Sequence, residues 1–182
     1  MQLLMGYNSF NGYVWNKLFD LQLIRENDIR FHADYPACED TMFVGSYLYH
    51  CSRVCVTEEC LYCYRQVSGG ANRGRYSGRK AYDPKWMSVF EMTEYMADLY
   101  KDDAVTAACR LHEVREAGIV LRSMEAAGYH GADHARLKGI LRRGASLFFR
   151  DENSGRSQKL SVLLSCISPK LELAVWKLRN RK

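Results

Sequence analysis

No apolar run in this chain approaches the roughly eighteen uncharged residues that a membrane-spanning helix needs, so the pattern predicts no transmembrane span. The opening stretch, MQLLMGYNSFNGY, lacks a basic n-region and has only a short apolar start, which argues against a secretory signal. A cytoplasmic location is therefore the expectation. Internal repeats are missing, and so is a clear linker between two large domains. Disordered, collagen-like and coiled-coil classes are excluded by composition: 47% of the 182 residues are hydrophobic and 26% charged, as in ordinary globular domains with a real core. The seven cysteines are odd in number with no signal ahead of them, so reduced thiols are expected rather than a disulfide framework.

What the chain does have begins with a mild net charge of +5, much of it gathered at Arg73–Lys80 and along the tail from Lys170 to Lys182. Such surfaces serve solubility, and they also attract phosphate, nucleic acid or an anionic membrane. The character of the sequence changes near residue 69. Before it, Val14–Phe19 reads as an extended aromatic start, Leu21–Asn27 as a short helix, and Glu39–His50 as a helix burying Met42, Phe43, Tyr47 and Leu48. Arg53–Thr57 and Cys60–Gln66, rich in Val, Cys and Tyr, read as successive strands.

After a Gly/Arg-rich loop at Ser68–Lys80, nearly everything reads as helix. Asp83 and Pro84 suit an N-cap and first helical position, followed by Trp86, Phe90, Met96 and Ala97 on an apolar face. Helices are expected at Asp102–Ala127 and Ala132–Arg143, with Gly128 and Gly144 as stops. Leu160–Ile167 and Leu171–Leu178 are split at Pro169, which lacks an N–H and disfavours helical geometry before it.

The most informative stretch is Ile29–Phe43, IRFHADYPACEDTMF, which sets Glu39 and Asp40 side by side where an irregular segment turns into a helix. Asp is a favoured N-cap and carboxylates are stabilised at helix N-termini, so capping accounts for the pair as local sequence. The neighbourhood adds acid–base chemistry as a second reading. VWNKLF at Val14–Phe19, a short helix leading to IRF at Ile29–Phe31, EDTMF at Glu39–Phe43 and LYCYR at Leu61–Arg65 follow one another in a specific order. Together, over about residues 10–70, they resemble the C-terminal half of the catalytic domain of family-two bacterial glycosyltransferases, the GT-A-fold enzymes that build surface polysaccharides from nucleotide sugars.

The resemblance implies an α/β fold with a partial GT-A-like sheet over residues 1–68, a Gly/Arg-rich loop at 69–82 and a mainly helical extension at 83–182. It implies Asp40 as general base for the acceptor hydroxyl, with Glu39 as its orienting neighbour, in an inverting transfer from a nucleotide-sugar donor to a saccharide or lipid-linked acceptor. Trp15 is expected to stack on a sugar or to pack, Lys17 to approach phosphate or carboxylate or to stay solvated, and Tyr64 and Arg65 to end a strand, with Arg65 pairing with diphosphate or in a structural ion pair. The family also carries an N-terminal nucleotide-binding half whose acidic motif holds Mg²⁺ or Mn²⁺. No Asp-x-Asp precedes Trp15, so a truncated or split enzyme, inactive by itself, is the expectation, with no cofactor in this chain. Peripheral attachment to the inner membrane face follows from the basic tail.

Three rival constellations rank lower. Cys60 and Cys63 have CxxC spacing, but Cys51 and Cys55 do not match it, and strand alternation would point Cys60 and Cys63 to opposite faces, so buried reduced thiols are expected instead of zinc. His130 and His134 are four apart, yet Gly128 and Gly131 weaken the helix that would present them, and no metal ligands are assigned. Cys109 with His112 lacks a third partner and reads as packing. The alternative function, of a different class, is a non-catalytic basic module in which the Gly/Arg-rich loop binds RNA or another polyanion, although nucleic acid is not the expected partner.

Overall fold

A computed structural model describes residues 12–65 and 82–180, which divide into two compact units, 12–65 with 87–109 and 82–86 with 110–180. Seven α-helices and one 3₁₀ turn run through the described residues, with no strand and no sheet among them. The α/β expectation is thereby corrected to an all-helical architecture. Arg53–Thr57 and Cys60–Arg65 are irregular and exposed, and the hydrogen bonds found there are local ones, such as Glu59 N–H to Thr57 Oγ1 and Leu61 N–H to Glu59 C=O. Strand propensity expresses itself only when a neighbouring chain completes the ladder, and no described segment does so. Val14–Phe19 departs from the extended expectation too, because a turn closes from Lys17 N–H to Val14 C=O.

In the first unit, α1 (Leu21–Glu26) begins at Asp20, whose carboxylate accepts from Gln22 N–H at 2.8 Å, and ends at Asn27. Asp28, in the left-handed region with φ 48°, turns the chain so that Ile29 N–H reaches Ile24 C=O, which buries Ile29. Helix α2 (Glu39–His50) has the predicted bounds. Its Phe43 and Tyr47 form a core with Ile29, and Phe19 meets both rings edge-on. The small residues Gly45 and Ser46 face α3 (Ser88–Tyr100), where Tyr100 donates to the Gly45 carbonyl at 2.8 Å and Tyr95 shares a 2.7 Å bond with Ser46. Asp83 starts the 3₁₀ turn Pro84–Met87 that leads into α3, its carboxylate accepting from Lys85 N–H.

Helix α4 (Asp103–Ala127) closes in the second unit on Gly128, at φ 69°. Helix α5 (Ala132–Arg150) runs through Gly144, where the sequence pattern predicts a stop. A side chain at Gly144 would collide with Val114, so this glycine permits close packing rather than ending the helix. Helices α6 (Arg156–Ile167) and α7 (Pro169–Arg179) break at Ser168–Pro169 as expected, and α6 packs on both α5 and α7. Among the described residues no helix is long and apolar enough to cross a membrane. The Gly/Arg-rich stretch at 69–80 lies outside the described residues.

Candidate functional site

Three of the four short patterns, VWNKLF, EDTMF and LYCYR, meet in the first unit. Gly12 is buried against the first turn of α2, where Thr41 fills the space a side chain would need, so the segment 12–17 lies over the N-terminus that carries Glu39 and Asp40. Val14 N–H donates to the Asp40 carboxylate, and the Lys17 ammonium lies within electrostatic reach of it. Lys17 Nζ also donates to Tyr13 C=O at 2.7 Å and to Asn16 Oδ1 at 2.8 Å. Trp15 projects from the turn into a cluster of rings, with Tyr62 and Tyr64 both at 4.9 Å and Tyr13 at 5.4 Å between centroids. Those separations and the near-parallel Tyr13 and Tyr64 planes are those of favourable offset stacking.

Neither carboxylate is the N-cap that local sequence suggests. Cys38 occupies that position at φ 69°, without a side-chain cap bond, and Glu39 and Asp40 are the first two helical residues. Burial pushes the Asp40 carboxyl above its ordinary range, reinforced by the Glu39 charge and opposed by the Val14 N–H and by Lys17. Burial also lowers Lys17, against the pull of Asp40. Desolvation therefore outweighs attraction on both sides, and Asp40 is a stronger proton acceptor than a solvated aspartate.

Of the other expected residues, Tyr64 joins the ring cluster, while Arg65 is exposed and makes no ion pair among the described residues. The expected thiol burial fails at three positions: Cys55, Cys60 and Cys63 are exposed, and Cys51 is half-buried, donating to Arg53 C=O. Cys109 is buried, as packing predicts. Tyr62 and Tyr13 are partners of Trp15 that the sequence reading passes over; the alternation of Tyr62 and Tyr64 within LYCYR is the signal for the first of them.

A second cluster lies in the other unit, where Glu125 near the end of α4, His130 in the turn and His134 at the start of α5 hold their ligand atoms within 4.8 Å of one another. The Gly128 turn is a Schellman motif, with Tyr129 N–H on Met124 C=O and Gly128 N–H on Glu125 C=O. Sequence reasoning singles out the histidines but misses Glu125, whose signal is its place five residues before His130, across a glycine stop. No family model, curated protein or solved structure matches this chain.

Proposed function

We propose that the Trp15–Asp40 site is the acceptor side of an inverting glycosyl-transfer centre, in a chain resembling the C-terminal part of a family-two glycosyltransferase. The reading rests on one arrangement: Trp15, Lys17, Asp40 and Tyr64, drawn from three separated sequence patterns, gather at the first turn of α2. Trp15 is packed by Tyr13, Tyr62 and Tyr64, and the exposed phenol rings of Tyr62 and Tyr64 suit the C–H face of a sugar ring. Asp40 takes the proton of the acceptor hydroxyl as that oxygen attacks the anomeric carbon, and the nucleoside diphosphate leaves from the opposite face. Burial keeps Asp40 basic, and the like charge of Glu39 adds to it. The proposal includes a cytoplasmic location near the inner membrane face and makes no use of a sheet.

The residues of this site do not fit the divalent metal that the resemblance implies. A hard cation takes six or more oxygens, and here two carboxylates stand beside a half-buried ammonium that already offsets their charge. No step is routed through a metal, and donor binding is left to groups outside this site. The test is to co-express the chain with a nucleotide-binding half of the same family encoded at its locus and to measure sugar transfer to saccharide and lipid-linked acceptors. Asp40→Asn is expected to lower transfer by about 10²- to 10⁴-fold. Undiminished transfer refutes the assignment of the base, and the chain by itself is expected to give negligible transfer.

A further inference from the structure

We infer that Glu125, His130 and His134 form a Zn²⁺ site that clips the turn between α4 and α5, independent of the glycosyl-transfer reading. The Glu125 side chain is 4% exposed and presents one oxygen to two imidazoles, with His134 Nε2 at 2.8 Å and His130 Nδ1 at 3.9 Å. The shorter contact is a hydrogen bond. The longer one is too long for that, so this carboxylate oxygen satisfies only one of the two rings facing it. Tetrahedral zinc with bonds near 2.0–2.1 Å sets its ligand atoms about 3.3 Å apart. The two separations bracket that value, and all three ligand atoms lie within 4.8 Å of one another.

The turn is built to hold these groups together. Gly128 takes the left-handed conformation that folds His130 back toward Glu125, and a side chain at Gly131 would run into the Tyr129 ring. Tyr129 packs on Tyr82 at 4.8 Å, and Tyr82 donates to Asp133, next to His134, at 3.1 Å. His134 is 13% exposed at its side chain whereas His130 is 49% exposed. The fourth position of the metal therefore opens toward water, giving one carboxylate, two neutral imidazoles and a water. Among the described residues this is the one group of His, Cys, Asp and Glu side chains gathered closely enough to hold an ion.

Metal-free chain is titrated with Zn²⁺ against a chromophoric chelator and with Co²⁺ followed by its visible spectrum. One equivalent is expected, with tetrahedral Co²⁺ bands that lack thiolate charge transfer. His130→Ala, at an exposed position that leaves the Glu125–His134 bond in place, is expected to weaken Zn²⁺ binding at least about ten-fold. Far-UV circular dichroism of this variant should match that of the parent. Glu125→Gln should weaken binding as well. Absence of binding, affinity unchanged by His130→Ala, or a thiolate charge-transfer band placing the metal on the cysteines overturns the inference.

Discussion

Glu172→Ala tests the energetics of the second unit at its most exacting point. Glu172 is 2% exposed in the first turn of α7, and one of its oxygens accepts from both Arg122 Nη1 at 2.9 Å and Ser161 Oγ at 2.7 Å. Arg122, 7% exposed, also lies over the Trp176 ring at 4.9 Å. Removing the carboxylate leaves a buried guanidinium without its counter-charge, a change that costs about 3–5 kcal/mol where burial is complete. A Coulomb attraction near 4 kcal/mol, taken at 4 Å and an effective dielectric constant of about 20, gives the same scale. The pair lines a cleft with Arg115 and Arg179, so water reaches the surviving charge and the lower end, about 3 kcal/mol, is expected. Urea unfolding followed by circular dichroism measures the loss, with the slope checked for constancy. Arg122→Met with Glu172→Leu removes both charges and is expected to cost at least about 2 kcal/mol less than the sum of the single substitutions. A loss under about 1 kcal/mol for Glu172→Ala at unchanged slope, or simple additivity in the double variant, refutes the reasoning.

Two glycines of α5 are expected to respond in opposite directions. Gly139→Ala faces only the flexible end of Arg143 and should raise stability by about 0.5–1 kcal/mol, whereas Gly144→Ala meets Val114 and should lower it by about 1–3 kcal/mol; thermal melts distinguish them, and a shared sign contradicts the packing described. Asp40→Asn should raise the melting temperature at neutral pH while it lowers transfer. A carboxyl whose folded pKa is raised favours the fold when protonated, so its contribution is present below the unfolded value and is lost as pH rises through the folded one. The gap between variant and parent should therefore close on acidification below the raised value, and a gap that stays constant across that range counts against a desolvated Asp40.

Helix α2 was legible because its apolar positions and its acidic start stand in one continuous stretch, and the break at Pro169 was legible because proline acts locally. Gly128 and Gly144 look alike in sequence, yet one takes a left-handed turn and the other makes room for Val114, thirty residues away in the chain; only the first meaning is local. The strands at Arg53–Thr57 and Cys60–Gln66 were misread for the same reason, since a ladder needs a partner that propensity cannot supply. The first turn of α2 was placed correctly, but its cap fell to Cys38 in a left-handed conformation that favours Gly or Asn over cysteine. Trp15, Asp40 and Tyr64 stand in three separate patterns of the sequence, and Glu125 is marked only by its spacing to His130 across a glycine, whereas Tyr13 carries no local mark of its contact with Trp15.

The exposed stretch Arg53–Arg65 has a consequence for the chain in bulk. Val56 and Leu61 stand 68% and 77% exposed, with Val54, Tyr62 and Tyr64 also largely in water and no ladder to any described segment. Exposed apolar side chains on a backbone without a ladder make a seam to which a second copy can adhere. The exposed charges at Arg53, Glu58, Glu59 and Arg65 flank those apolar side chains as gatekeepers against such association.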